Sequence, residues 1–242
     1  MKIEDCLFPE ELLYTPDFNV WFKEIQTNIY KIGITSLFSF YLGKIVRINF
    51  KPILSIIEKG KNVCLIESLN KYEGIRLPFK VKLIEINEKI LSKPKIVNDD
   101  PYNDGWLALI EAMEKPILLK EVKKEEENIK NLIKTLKIKC LKYVPDHHLY
   151  EIGVECAAVI PKLNELFSKI QEKEIVLLVS DDPTAYVEMI RWTDQTKNEF
   201  LDVKKEGNLW YIFVRKNKLV KYLLLLNIPM KADKEVDIFL RL

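Results

Sequence analysis

Cys156 has the residue type and setting that could do chemistry in this chain. It stands just ahead of an apolar-periodic stretch in which Pro161 fits the first turn of a helix. The unpaired N–H groups and dipole at a helix start lower the pKa of a nearby thiol. A thiolate there could attack a sulfane sulfur, hold it as a persulfide and pass it to another thiol. Glu151 and Glu155 lie close in sequence and work against a low pKa. The alternative is a small residue buried for packing. His147 and His148 precede this position, and they read either as a base or substrate ligand or as a solvated loop pair.

The other cysteines are Cys6, Cys64 and Cys140, and none of the four belongs to a C-x-x-C pair. With only two histidines in the chain, there is no metal-ligand pattern. Cys64 and Cys140 lie in apolar runs and read as small core residues, with thiols kept reduced.

The 242 residues are 48% apolar, enough for two small cores. Charged residues make up 31%, yet the formal net charge is +2, with Lys and Glu interspersed. That pattern argues against nucleic acid or an anionic membrane as partner. The start, MKIEDCLFPEE, lacks a signal-type apolar stretch, and residues 222–226 are too short a run to span a bilayer. The expected location is the cytoplasm.

Residues 1–110 read mainly as short strands, at 21–25, 29–32, 45–50, 63–66, 75–77 and 81–86, with one short helix at 35–42. Such spacing suggests a small β-sandwich or flattened barrel. Ile129, Leu132, Ile133 and Leu136 then fall at i, i+3, i+4 and i+7. They mark an amphipathic helix that either connects two domains or packs on one of them. Beyond it, strands are expected at 140–143, 175–179, 200–204 and 210–215, and helices at 161–170 and 183–193. The order β-α-β-α-β-β is a two-layer α/β sandwich. Residues 219–242 hold two apolar strips that could add to a sheet edge or cover an interface.

Tyr14-Thr15, Trp21, Gly33-Ile34-Thr35, Leu42-Gly43, Glu58-Lys59-Gly60, Glu67-Ser68, Pro78 and Asp100–Leu107 carry a resemblance. Over residues 14 to about 110 the chain resembles the glycine-cleavage H-protein, a lipoyl-carrier fold. The resemblance implies a lysine at the tip of a tight hairpin, bearing an amide-linked lipoyl arm. Here Asn70 takes the family's lysine position and Lys71 follows it. Neighbouring strand residues point to opposite faces, so a shift of one changes direction. Asparagine suits a turn but has no amine. Two readings are open: lipoate on Lys71, or loss of the arm and a docking role. Leu54 and Val81 stand where the family normally has glycine.

Gly153-Val154-Glu155-Cys156, Asp182-Pro183, Trp192, Phe200 and Phe213–Lys216 carry a second resemblance, over 138 to about 216. This half resembles the TusA-like (SirA-like) sulfurtransferases, which implies Cys156 as the sulfur-bearing residue. Ala157-Ala158-Val159 replace the Pro-x-Pro that follows the family's cysteine.

The combined expectation is an α+β protein of two domains. An H-protein-like lipoyl-carrier-type β-sandwich spans 1–116 and a connecting helix 117–137. A TusA-like two-layer α/β sandwich follows at 138–218, and a C-terminal extension at 219–242. The function implied is sulfur trafficking, of sulfurtransferase or sulfur-carrier type. Its partners are sulfur donor and acceptor proteins, with lipoate-pathway enzymes as further candidates. The alternatives are a lipoyl carrier modified on Lys71 and a non-catalytic scaffold.

Overall fold

The computed structural model describes residues 1–217. They fall into two compact units that divide between Pro145 and Asp146. The expectation for residues 219–242 lies outside the described residues. Among the described residues, no helix is long and apolar enough to cross a membrane.

The first unit begins with a small hairpin, β1 (Lys2–Ile3) and β2 (Cys6–Leu7). A six-stranded sheet follows, built from β3 (Leu13–Tyr14), β4 (Val20–Gln26), β5 (Ile29–Ile34), β7 (Ile56–Ile57), β10 (Val81–Ile86) and β11 (Ala108–Ala112). Its spatial order is β3-β4-β5-β11-β10-β7. A three-stranded sheet holds β6 (Ile45–Phe50), β8 (Asn62–Ser68) and β9 (Tyr72–Arg76), in the order β6-β8-β9. Alternating residues of both sheets form one buried cluster, including Phe22, Ile32, Ile48, Ile66, Leu83 and Ile110. This is the expected β-sandwich, and period-two burial is what positions its strands.

Helix α1 (Ser36–Leu42) joins the sheets. Thr35 caps it by accepting from the Phe38 N–H at 3.2 Å, and Gly43 ends it at φ 75°. Two short helices, α2 (Glu88–Ser92) and α3 (Ile96–Asp99), lie where the sequence reading has no helix. Polar side chains hold them. Asn87 caps α2, and Asn98 in α3 donates to Ser39 Oγ and accepts from the Ile45 N–H.

Helix α4 (Glu126–Leu136) belongs to the first unit. Ile129 and Ile133 are buried in a second cluster with Ile3, Cys6, Phe8 and Trp21. Each such burial stabilises by about 1.5–3 kcal/mol. Cys140 follows α4 and is bonded to Cys6 across 134 residues of chain. This corrects the reading of all thiols as reduced. Among the described residues the free cysteines are Cys64 and Cys156, both buried. It also corrects the strand expected at 140–143. Cys140 is taken into the second cluster beside Cys6, and residues 140–143 form no strand.

Among the described residues, the second unit holds a four-stranded sheet and two helices. Its elements are β12 (His147–Glu151), α5 (Cys156–Lys169), β13 (Ile175–Ser180), α6 (Ala185–Thr196), β14 (Glu199–Glu206) and β15 (Leu209–Arg215). The sheet order is β12-β13-β15-β14, with β12 parallel to β13 and the other pairs antiparallel. The β-α-β-α-β-β order stands, with its first strand at His147–Glu151. The two histidines therefore lie in a strand and not in a loop. Cys156, Val159, Leu163 and Phe167 form the buried stripe of α5 at spacings of three and four residues. That stripe starts the helix at Cys156. Pro161 sits inside α5 and not in its first turn, which corrects the expected start.

Candidate functional site

Two places bear the residues singled out by sequence, one in each unit. The first is the hairpin between β8 and β9. Glu67 pairs with Tyr72, leaving Ser68-Leu69-Asn70-Lys71 as the turn. The Ser68 N–H donates to the Lys71 carbonyl at 2.8 Å, and the Lys71 N–H donates to Ser68 Oγ at 3.0 Å. These bonds close the turn beneath Leu69 and Asn70, so the exposed tip is Leu69-Asn70. Lys71 stands at the base. Its ammonium lies 3.1 Å from the centroid of the Tyr41 ring, a cation–π contact. Partial burial there lowers the lysine pKa, against the opposing pull of Glu73.

The second place is the start of α5. Cys156 is its first residue and has no exposed surface. Its backbone N–H donates to Asp182 Oδ2 at 2.5 Å. Asp182 Oδ1 accepts from the Thr184 N–H at 2.7 Å and from Thr184 Oγ1 at 2.8 Å. One carboxylate thus serves the start of α5 and the segment leading into α6. Those hydrogen bonds hold its carboxyl below the usual range. Asp181 next to it accepts from the Gly153 N–H at 2.8 Å, where Gly153 turns the chain at φ 73°.

The thiol itself is pushed up to about 11, first by burial and then by the charges of Asp182 and Glu188. The helix start does not prevail, because desolvation disfavours the thiolate and two carboxylates face it. The acids that matter differ from those expected by proximity in sequence. Glu151 is buried and paired with Lys162 Nζ at 2.7 Å, which answers its charge. Glu188, one turn into α6, carried no signal in a linear reading.

His147 Nε2 lies 3.0 Å from Glu174 Oε2, and His148 stacks on Tyr150 with ring centroids 5.8 Å apart. Burial and the neighbouring His147 lower the His148 pKa. The structure thus brings Cys156 together with Asp182 and Glu188, while the histidines find partners on their own strand and beside β13.

Family comparison follows this division. The family model described as glycine cleavage H-protein matches residues 12–136. The chain belongs to the glycine cleavage H-protein family. The model described as sulfurtransferase TusA matches residues 150–216, so those residues are a TusA domain. Among curated relatives, glycine cleavage system H protein 2 of Aquifex aeolicus is 32% identical over 135 residues, covering 54% of this chain and 83% of that protein. The glycine cleavage system H protein of Coprothermobacter proteolyticus is 34% identical over 109 residues, covering 45% of this chain and 85% of that protein. A crystal structure of a glycine cleavage system H protein from Mycobacterium marinum aligns with a TM-score of 0.45 and 22% identity, covering 50% of this chain and 98% of that one.

Asn70 has the exposed place and no amine, while Lys71 has the amine and lies folded onto Tyr41.

Proposed function

We propose that this protein carries sulfur on Cys156 of its TusA domain and that its H-protein-like domain, without a lipoyl arm, docks partner enzymes. The observation behind this reading is the place of Cys156 as first residue of α5, within the span matched by the sulfurtransferase model. In the resting fold the thiol is neutral and covered. A donor protein must uncover it and draw off the field of Asp182 and Glu188 before it can ionise. The thiolate then attacks the outer sulfur of a donor persulfide. A new S–S bond forms on Cys156, the donor's S–S bond breaks, and the donor leaves as a thiolate. Transfer to an acceptor thiolate repeats the step in reverse, with no net oxidation. The partners in this reading are sulfur donor and acceptor proteins and lipoate-pathway enzymes, in the cytoplasm.

The test is sulfur loading of the full chain by a protein persulfide donor, followed by peptide mass mapping. One added sulfur on the Cys156 peptide, absent in Cys156→Ser, supports the reading. Equal loading of the serine variant removes it.

A second reading has the complete burial of Cys156 in its favour. On it, the residue packs the core of a scaffold and reacts with nothing. Labelling of native protein separates the two: a scaffold leaves Cys156 unlabelled with the donor protein present as well as absent.

A further inference from the structure

We propose that Cys6 and Cys140 form a redox clamp that holds α4 closed over a cleft in the H-protein-like domain. The inference is independent of any role for Cys156. The cleft has a volume of about 500 Å³ and runs between α4 and the edge of β9. Asn128, Leu132 and Leu136 of α4 form one wall, and Tyr41, Gly74 and Ile75 stand among the residues opposite.

Each piece that the bond joins is weak alone. β1 and β2 have two residues each, and the turn between them places Glu4 and Asp5 at positive φ. An isolated hairpin of that size is marginal in water. Helix α4 has 11 residues, below the length at which a helix persists unaided. The two pieces lie at opposite ends of the unit's sequence and share one buried cluster, in which Ile3, Phe8, Ile129 and Ile133 meet. Polar bonds anchor the hairpin side to α1. Ser36 Oγ accepts from the Leu7 N–H and donates to the Leu7 carbonyl, both at 2.9 Å, and the Tyr102 hydroxyl donates to that same carbonyl. On the α4 side the charge of Glu4, in the turn of the hairpin, attracts Lys130. That side is fixed by Ile129, Ile133 and Val122, and by Cys140, which follows Leu136 after three residues.

The bond joins residues 134 apart in sequence. With the sandwich between them folded, the bond is a covalent tie between the hairpin at the start of the unit and the segment that follows α4, and cutting it lets that segment and α4 move away together. Both cysteines are buried, at 0% and 1% exposure. A reductant therefore acts when the cluster opens, and reclosure competes with it. The step is a two-electron exchange with a dithiol. The dithiol becomes a cyclic disulfide, and Cys6 and Cys140 become thiols by gaining two electrons and two protons. The reduced helix keeps its non-covalent contacts but loses the covalent tie to the hairpin, and the cleft loses a fixed wall.

Hydrogen exchange of the full chain tests this, comparing oxidised protein, protein reduced with dithiothreitol, and Cys6→Ser/Cys140→Ser. Reduction is expected to speed exchange at least about tenfold in residues 1–8 and 126–136, while β13 and β15 stay unchanged. Exchange in α4 that stays within twofold on reduction overturns the clamp. Thiol trapping during native purification gives a second readout that needs no variant. Blocked, unlabelled Cys6 and Cys140 support the proposal, and free thiols at both overturn it.

Discussion

The Cys156 N–H and the Asp182 carboxylate meet at 2.5 Å, and the same carboxylate stands close enough to raise the Cys156 thiol. One residue thus fixes the backbone at the start of α5 and opposes ionisation of the side chain it holds. The arrangement stabilises the fold and keeps the sulfur quiet. A partner that displaces Asp182 would release both restraints at once.

Two substitutions separate these effects. Asp182→Asn keeps an oxygen acceptor and removes the charge. It is expected to lower the Cys156 pKa and speed alkylation several-fold at mildly alkaline pH, with a small change in melting temperature. Asp182→Ala removes the acceptor as well, and loss of a helix-start partner costs about 1–2 kcal/mol. Alkylation rates and thermal melts of the two variants check this. Equal alkylation of wild type and Asp182→Asn would show that the charge does not govern the thiol.

The pH dependence has a definite sign on both sides. The folded Cys156 pKa, about 11, lies above the ordinary thiol value of ~8.5. The unfolded chain therefore loses this proton first. The stabilisation is full below the ordinary value and is lost as pH climbs toward the folded one. Asp182 behaves oppositely. Its folded pKa is depressed by hydrogen bonds, so its contribution is present above the ordinary carboxylate value and is lost as pH falls through the folded one. Denaturant midpoints across pH, with Cys156→Ser as comparison, should show the alkaline decline reduced in the variant.

Local chemistry was legible in the sequence wherever the partners are local. The helix expected at 161–170 is the later part of α5, and the hairpin that the H-protein resemblance implies around Asn70 is the turn at 68–71. Pro161 misleads because prolines favour first turns, whereas here the apolar stripe begins well before it. The direction of Lys71 depends on Tyr41, thirty residues earlier, and no periodicity reports that contact. The same holds for Cys140. Its apolar run resembles a strand, but its partner is Cys6, and such long-range pairing has no local signature. Leu54 shows the converse. Reading it as a departure from glycine was enough to mark a special position, and the backbone there is left-handed at φ 65°.

Asn70→Lys returns an amine to the exposed tip of the hairpin. A lipoate ligase acting on the full chain is expected to modify this variant and to leave wild type unmodified. The peptide spanning residues 67–72 reports the outcome by mass. Modification of wild-type Lys71 would mean that the lysine leaves Tyr41 readily and that the arm has been kept.

Gly105 follows from contact geometry. A Cβ at this position would lie 2.6 Å from the Asp100 carbonyl oxygen and 2.8 Å from that of Ile96. Both are backbone atoms, the Ile96 carbonyl closing the end of α3 and the Asp100 carbonyl accepting from the Gly105 N–H, so neither can swing aside as a side chain would. Gly105→Ala is expected to cost about 2 kcal/mol, seen as a lower denaturant midpoint for the first unit. An unchanged midpoint would show that the 100–105 turn yields freely.

Leu54 offers a gain in stability. Its side chain is 65% exposed, so truncation gives up little burial. Its backbone N–H is held by the Leu83 carbonyl at 2.7 Å, which keeps the residue at φ 65°. A left-handed conformation costs an L-residue about 1–2 kcal/mol and glycine almost nothing. Glycine's added freedom in the unfolded chain returns about 0.5–1 kcal/mol of that. Leu54→Gly is therefore expected to stabilise the first unit by about 0.5 kcal/mol, a small rise in denaturant midpoint at unchanged slope. Leu54→Ala is the control. It trims the same side chain without relieving the backbone, so a matching rise in the alanine variant would assign the gain to the exposed leucine and not to φ.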